Sequence, residues 1–198
     1  YRPRKLADLI IDEIIFYSHS IKAANVKGII DVVPAYASLA IFYNPVYVRQ
    51  ETLIQLFESI KYIQAETQEH ITWTIPVKYN DESTDDIISL IEYTGLDRRN
   101  IIDIHSQTIY KVCFIGFLPG FLYLSGLNSA LCMPRKKVPA LKVTKGSVAI
   151  GGCQTGIYPI DSPGGWHVIG HTDTNFIQFH EPPYCRFSPG DFIRFESI

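Results

Sequence analysis

Between residues 116 and 123 the sequence reads Gly116-Phe117-Leu118-Pro119-Gly120-Phe121-Leu122-Tyr123, an aromatic and aliphatic run with a Pro-Gly pair at its centre. Such a pair between two apolar stretches is typical of strands joined by a tight turn. Glycine-rich stretches of the same kind recur at 146–156 and 162–172. From Tyr110 onward the regular alternation of strand and turn predicts a β-barrel or sandwich.

Glycine and proline are distributed unevenly along the 198 residues. Only Gly28 and Gly95 precede Gly116, and eight of the 12 prolines lie at or after Pro119. A chain of this length forms one domain or two small ones. The skew therefore indicates two unlike parts.

The glycine-poor part predicts a small α/β unit. Apolar residues at three- and four-residue steps predict helices over about 5–24 and 49–63. Short β-branched and aromatic runs predict strands over 29–33, 38–43 and 71–79.

A further helix is expected to open at Ser83, to turn Ile87, Ile88 and Ile91 inward, and to end at Gly95. We thus predict an α+β protein with a small N-terminal α/β domain over 1–77 and a β-barrel or sandwich over 78–198. Pro76 lies near this boundary, which favours a strand at a sheet edge or one that leaves one sheet for another.

Charge and hydropathy exclude two classes of partner. The 18 basic and 20 acidic side chains give a net charge of −2, which argues against a nucleic-acid binder because such proteins need a basic face. The longest uncharged run, 112–134, is broken by glycine and proline, which argues against a membrane span. We expect neither nucleic acid nor a membrane as a partner.

The four cysteines are widely separated and form no Cys-x-x-Cys pair, so neither a zinc ribbon nor a thioredoxin-type site is predicted. We expect them to be buried thiols of a cytoplasmic protein, and two disulfides are the alternative. His167 and His171 would share a face of a strand, but no third ligand has suitable spacing. No metal site is therefore predicted.

The common catalytic motifs, such as a phosphate loop or a Gly-x-Ser-x-Gly elbow, are absent from the sequence. The glycine-rich turns remain as candidate sites, because glycine lets backbone amides approach an anion or carbonyl closely. A plain structural role for these turns is the alternative. The candidate substrate- or phosphate-binding residues are Gly120, Phe121, Gly151, Gly152, Gln154, Thr155, Gly164, Gly165 and Trp166.

Three side chains are candidates for catalysis. Arg135 presents a planar guanidinium that can grip a carboxylate or phosphate in two places, with Lys136 or Lys137 in support. His105 and His171 can move a proton, or can equally be structural imidazoles bonded to their surroundings.

The ordered motifs resemble the 5-oxoprolinase B subunit family, also called KipI-like or allophanate hydrolase subunit 1, with a carboxyltransferase C/D domain. The resemblance covers about residues 29–198, and four segments within this range carry it. They are His105 with Tyr110-x-Val-x-x-x-Gly-Phe-x-Pro-Gly-Phe-x-Tyr-Leu; Pro134-Arg135; Gly146-Ser147-Val148-x-Ile150-Gly151-Gly152-x-Gln154-Thr155-Gly156-x-Tyr158-Pro159; and Ser162-Pro163-Gly164-Gly165-Trp166-x-x-Ile169-Gly170-x-Thr172.

The resemblance implies a cyclophilin-like barrel after the small domain. It also implies a component of an ATP-hydrolysing amide hydrolase that opens 5-oxo-L-proline to L-glutamate in a heteromeric complex in the cytoplasm. The implied partners are the homologous, barrel-containing C subunit and the separate A subunit of 5-oxoprolinase, and no activity is expected without them. ATP with Mg²⁺ as its counter-ion is the implied cofactor, and no tightly bound cofactor is expected.

Two other functions occur among proteins that the resemblance covers. One is a binding module that inhibits a sensor histidine kinase, for which exposed aromatic side chains such as Phe117, Phe121 and Trp166 would suit an interface. The other is a component of allophanate hydrolase or urea carboxylase, which predicts a biotin-carrying partner. Likeness of fold does not decide among these functions.

Overall fold

The computed structural model of the chain describes residues 4–62, 71–80, 85–178 and 180–198. The chain divides into two compact units, Tyr1–Glu69 and His70–Ile198. This division lies before the predicted boundary at residue 77. The reason is that strand β3 (Thr72–Tyr79) pairs with strands of the second unit.

The first unit is the α/β unit that the spacing predicted. Its strands pair antiparallel, and a core of Ile11, Ile15, Ile21, Val32 and Leu53 lies within it. The elements are α1 (Arg4–Ala23), β1 (Ile29–Pro34), β2 (Leu39–Tyr43) and α2 (Gln50–Ser59). Helix α2 is shorter than the predicted 49–63, whose last residue lies outside the described part.

Two helices follow β3, α3 (Asp85–Thr94) and α4 (Arg98–Gln107). Gly95 ends α3 as predicted, with a φ of +71° and its N–H donating to the carbonyl of Ile91 at 2.8 Å. Asp97 caps α4 by accepting from the N–H of Asn100 at 2.7 Å.

The buried face of α3 carries Ile87 and Leu90, which are both fully buried. The prediction that Ile88 faces inward is wrong, because Ile88 is 37% exposed. Leu90 occupies the inward position three residues after Ile87. The predicted start of this helix at Ser83 lies outside the described residues.

The second unit contains a closed seven-strand barrel, which confirms the predicted α+β class with a C-terminal barrel. Besides β3, its strands are β4 (Ile109–Ile115), β5 (Leu122–Ser125), β7 (Ser147–Gly151), β8 (Gln154–Ile157), β10 (His167–His171) and β11 (Phe192–Ser197). These strands pair in the order β10-β3-β11-β4-β5-β8-β7. Strands β6 (Ala140–Val143) and β9 (Ser162–Gly164) form a separate two-stranded sheet.

Pro76 lies in a barrel strand that has two neighbours. Strand β3 pairs with β11 along Thr72–Val77, whereas β10 pairs only with Lys78 and Tyr79. Pro76 has no N–H to donate, and it precedes the two residues of β3 that pair with β10. The missing donor therefore does not interrupt the pairing of β3 with β10.

Alternation along the strands divides the barrel residues between two apolar clusters. Leu122 and Leu124 belong to the large cluster inside the barrel. The intervening Tyr123 and the preceding Phe121 belong to a second cluster, which also contains Trp166. Because successive side chains point to opposite faces of a strand, this second cluster lies on the outer wall of the barrel.

Residues of the β6–β9 sheet and its neighbours, including Ala140 and Val143, complete the outer cluster. The outer wall of β5, β7 and β8 is therefore covered by a second layer. The candidate functional site lies between this layer and the wall.

The expectation of four thiols is wrong for Cys132 and Cys153, which form a disulfide with their Cα atoms 4.4 Å apart. Met133 and Gly152 form an isolated antiparallel bridge, which brings the two cysteines beside them together. Cys113 and Cys185 are thiols. Of the helices in the described residues, none combines the length and apolar character that a bilayer crossing requires.

Candidate functional site

A cavity of about 320 Å³ lies on the outer wall of the barrel. This volume is at the low end of the roughly 300–1,000 Å³ found for small-molecule sites. Segments that are distant in sequence meet there, from the glycine-rich motifs and from the basic motif. The lining residues are Phe117, Phe121, Tyr123, Arg135, Lys136, Pro139, Tyr158, Pro163, Gly164, Gly165 and Trp166.

Phe121 forms the centre of the aromatic lining. Its ring centroid lies 4.8 Å from that of Tyr123, 5.0 Å from Tyr158 and 5.5 Å from Trp166. The contacts with Tyr158 and Trp166 are edge-to-face, an arrangement that the ring quadrupoles favour. Phe117 adds a further edge contact at 5.5 Å but remains 61% exposed. The predicted exposure holds for Phe117 and is wrong for Phe121 and Trp166, which are buried.

The position of Trp166 depends on glycines in two neighbouring strands. A Cβ atom at Gly151 would lie 2.5 Å from Cγ of Trp166, and one at Gly156 would lie 3.0 Å from its Cζ3. The contact at Gly151 would force the indole to move, and the contact at Gly156 is unusually tight, with the carbonyl oxygen of Leu122 also 2.7 Å from the added Cβ atom. Glycine at these positions therefore lets the indole lie against the barrel wall.

Arg135 places its guanidinium 5.5 Å from the centroid of the Trp166 ring. A cation over an indole face is attracted to the ring, while the N–H groups around the guanidinium plane stay available to an anion. Among the side chains that the structure describes, no carboxylate forms an ion pair with Arg135.

Lys136 is bound to Asp86 instead of facing the cavity as an unpaired charge. Its Nζ lies 2.7 Å from Oδ1 and 2.8 Å from Oδ2 of Asp86, and both side chains are mostly buried. Asp86 Oδ2 also accepts from the N–H of Val168 at 2.8 Å. This arrangement neutralises Lys136, and no local signal in the sequence identifies Asp86 as its partner.

Backbone hydrogen bonds connect the segments that bear these side chains. The N–H of Lys136 donates to the carbonyl of Gly165 at 2.8 Å. Met133 and Gly152 exchange two bonds, of 3.0 and 2.7 Å, beside the disulfide. The N–H of Gly152 is thus used within the protein and does not face an anion.

Tyr158 supplies a hydroxyl at the cavity. Burial raises the pKa of this hydroxyl, and the neighbouring backbone N–H of Trp166 lowers it by less, so the group stays protonated at neutral pH. A Cβ atom at Gly164 would overlap that hydroxyl. Gly164 therefore allows the close approach, and Tyr158 is a site residue that our sequence reasoning missed.

The predicted catalytic residue His105 lies in the barrel core and is fully buried. Its Nδ1 accepts from the hydroxyl of Tyr79 at 2.7 Å. Thr155 donates its hydroxyl proton to the carbonyl of Ala149 at 3.0 Å, so its oxygen accepts from Nε2 of His105 at 2.9 Å. Burial lowers the pKa of His105 to about 3. Both ring nitrogens of His105 are therefore hydrogen-bonded inside the protein, and Thr155 is one of the two partners.

His171 and His167 lie at opposite ends of β10. His171 is partly exposed, with Nε2 3.4 Å from Asp173, whereas His167 is buried and its Nε2 donates to the carbonyl of Pro134 at 3.0 Å. Four strand residues span roughly 13 Å. The structure therefore does not bring His171 to the end of the strand that carries Trp166.

Two further predicted residues, Gly120 and Gln154, do not line the cavity. Gly120 has a φ of +78° and packs closely against Ile177. Gln154 pairs with Gly151 in the turn between β7 and β8, and its side-chain Nε2 is buried with no partner among the described residues. Of the predicted set, the cavity brings together Phe121, Arg135, Gly164, Gly165 and Trp166, with Gly151 behind Trp166.

Comparison with known proteins identifies relatives over most of the chain. Residues 3–187 match the family described as carboxyltransferase domain, subdomain C and D. Three curated proteins named as the B subunit of 5-oxoprolinase are similar to the chain. The one from Bacillus subtilis is 34% identical, with 86% of this chain and 76% of that protein covered. The one from Haemophilus influenzae is 36% identical, with 85% and 79% covered, and the one from Escherichia coli O157:H7 is 32% identical, with 88% and 80% covered.

Solved structures share the fold. The crystal structure of TTHA0988 superimposes with a TM-score of 0.85 at 30% identity over 96% of this chain, which spans 37% of that longer chain. PH0987 from Pyrococcus horikoshii gives a TM-score of 0.61 at 34% identity, with 97% and 89% covered. Urea amidolyase of K. lactis, at 17% identity and a TM-score of 0.78, shows the fold alone. The chain belongs to the carboxyltransferase subdomain C and D family, together with the proteins named as the B subunit of 5-oxoprolinase.

Proposed function

We propose that the chain is the B subunit of an ATP-dependent 5-oxoprolinase, which with the A and C subunits converts 5-oxo-L-proline to L-glutamate as ATP is hydrolysed. One observation carries the proposal, namely that three curated relatives over most of the chain are named as the B subunit of 5-oxoprolinase. Their name supports a component of a hydrolase complex. The partner subunits, the requirement for them and a cytoplasmic location are parts of the proposal.

The reaction needs activation of the substrate, because amide resonance makes the lactam carbon a poor electrophile. Phosphorylation of the lactam oxygen by ATP would supply that activation. The task of the protein is then to hold the ring still and to stabilise charge near its carbonyl. The aromatic cavity with Arg135 and Tyr158 has groups suited to the first of these tasks.

The residues at the cavity suit a nucleotide less well than they suit the small ring of 5-oxo-L-proline. Lys136 is neutralised by Asp86, and the N–H of Gly152 is bonded to Met133. A triphosphate carries several negative charges and normally meets several cations or free amides. The described cations that line the cavity are Arg135 and Lys136, and of these two only Arg135 has no paired carboxylate. No step of the reaction is therefore assigned to a nucleotide in this cavity.

The experiment combines the purified chain with the A and C subunits, ATP and 5-oxo-L-proline, and measures L-glutamate and ADP. The proposal expects both products in the complete mixture and neither product when this chain is left out. A complete, assembled mixture without glutamate would contradict it. The kinase-inhibitor and urea-pathway functions lack a supporting observation of this kind, since urea amidolyase shares only the fold.

A further inference from the structure

We propose that the aromatic cavity on the outer barrel wall binds 5-oxo-L-proline, with its carboxylate on Arg135 and its lactam carbonyl on Tyr158, and that the nucleotide binds elsewhere in the complex. The identity of this substrate rests on the proposed function. The cavity itself points only to a class of ligand, a small uncharged ring that carries one carboxylate.

The charge of the cavity selects a monoanion. Arg135 and Lys136 are the cations in its lining, and Asp86 neutralises Lys136 at 2.7 Å. One unpaired guanidinium therefore remains among the described lining residues. This charge matches a single carboxylate and is insufficient for a triphosphate.

The indole of Trp166 restrains Arg135 beside the cavity. The guanidinium lies over the ring, 5.5 Å from its centroid. This cation–π contact reduces the side-chain freedom that ligand binding would otherwise have to restrict. The paired N–H groups of the guanidinium can then donate to both oxygens of the carboxylate.

Aromatic side chains provide the environment for the ring. Phe117, Phe121, Tyr123 and Trp166 line the same cavity, whose volume of about 320 Å³ is suited to a small ring. Apolar walls with a few placed polar groups are the usual composition of a small-molecule site. A nucleotide, with its base, ribose and phosphates, would need a longer site with more donors.

Tyr158 supplies a donor for the carbonyl. Tyr158 lines the cavity, and its hydroxyl can donate a proton as well as accept one. Its hydroxyl adjoins Gly164, another residue of the lining. A lactam oxygen in the cavity would accept the hydroxyl proton, while the ring packs on the neighbouring aromatics.

Steady-state kinetics of the assembled complex test both halves of the proposal. We expect Arg135→Gln to raise KM for 5-oxo-L-proline by about tenfold or more and to leave KM for ATP unchanged. Arg135→Lys should recover part of the loss, because charge is kept while the planar fork is removed. Tyr158→Phe should lower kcat/KM for 5-oxo-L-proline several-fold, again without a change in KM for ATP.

Arg186→Gln is the matched control. Arg186 also lies over an indole, with its guanidinium 5.0 Å from the centroid of Trp73, but it does not line this cavity. Its variant should leave both KM values unchanged. If Arg135→Gln raises KM for ATP alone, or changes neither KM, the proposal is overturned.

A binding measurement separates this proposal from the proposed function. Equilibrium dialysis of the full chain in the assembled complex uses radiolabelled 5-oxo-L-proline, with pyrrolidin-2-one, which lacks the carboxylate, as a competitor. An inactive complex that binds 5-oxo-L-proline, and loses binding in Arg135→Gln, supports the cavity while the enzymatic function fails. An active complex whose binding and KM do not respond to Arg135→Gln overturns the cavity while the function stands. Absence of binding by the wild-type complex also overturns the cavity.

Discussion

Lys136 and Asp86 form an ion pair in which one ammonium contacts both carboxylate oxygens, at 2.7 and 2.8 Å, at the edge of the aromatic cavity. Asp86 lies in α3 and Lys136 in the segment that also carries Arg135. The pair therefore has two consequences. It attaches a helix to the site, and it leaves Arg135 as the charge available to an anion.

Removal of one partner should be more harmful than removal of both. Asp86→Asn leaves a mostly buried ammonium without its counter-charge, and we expect it to lower the free energy of unfolding by about 2–3 kcal/mol. Asp86→Asn combined with Lys136→Met should recover much of this loss. Urea unfolding of the wild type, both single variants and the double variant measures the coupling, and a coupling energy near zero would contradict a structural ion pair.

The buried imidazole of His105 predicts a pH dependence of stability. Burial lowers the pKa of His105 in the folded protein to about 3, against an ordinary value of about 6.5 in the unfolded chain. Between these values the unfolded chain binds a proton that the folded protein excludes. The stabilisation is therefore present above about pH 6.5 and is lost as the pH falls, by about 2 kcal/mol at pH 5.

Nitrogen NMR of the folded protein checks this directly. We expect the His105 ring to remain neutral at pH 5, with its proton on Nε2 toward Thr155, as the hydrogen bonds require. Unfolding experiments at pH 7 and pH 5 give the accompanying change in free energy. A ring that becomes protonated near pH 6 in the folded state would rule out this assignment.

His105 also illustrates what the sequence could not provide. A histidine at the end of an amphipathic helix has the same local pattern whether it faces solvent, substrate or a core. Its role depends on Tyr79 and Thr155, which come from strands far from it in sequence. The helix itself was predictable, because Asp97 and the apolar spacing are local signals.

The barrel was predictable from local sequence signals and the family resemblance, whereas the cavity depends on contacts between distant segments. Turns rich in glycine and proline predicted a strand-rich second part, and the family resemblance supplied the barrel. Strand alternation placed Phe121 and Tyr123 together in principle, but only the register of β5 against β8 identifies the outer wall. The pairing of Lys136 with Asp86 and the position of Tyr158 in the cavity lining could be found only in the structure.

Two adjacent glycines allow steric and conformational effects to be separated. Gly151→Ala places a Cβ atom 2.5 Å from Trp166, so we expect displacement of the indole, a loss of about 1–3 kcal/mol and loss of 5-oxo-L-proline binding. Gly152 has open space around it but a φ of +65°, so Gly152→Ala should cost only about 1 kcal/mol and should leave binding intact. Urea unfolding and tryptophan fluorescence measure both effects, and equal effects of the two variants would contradict the steric role of Gly151.

The disulfide and the backbone bridge beside it make separate contributions. Cys132 and Cys153 close a loop with a sequence separation of 21, for which chain entropy predicts about 3 kcal/mol of stabilisation. Met133 and Gly152 exchange two backbone hydrogen bonds that involve neither sulfur atom, and we expect these bonds to persist when the disulfide is reduced. We therefore expect the Cys132→Ser, Cys153→Ser double variant to unfold at lower urea concentration and to keep its affinity for 5-oxo-L-proline. Cys185→Ser is the control for loss of a thiol outside the disulfide. If reduction abolishes binding while the protein stays folded, the disulfide rather than the bridge holds Arg135 in place.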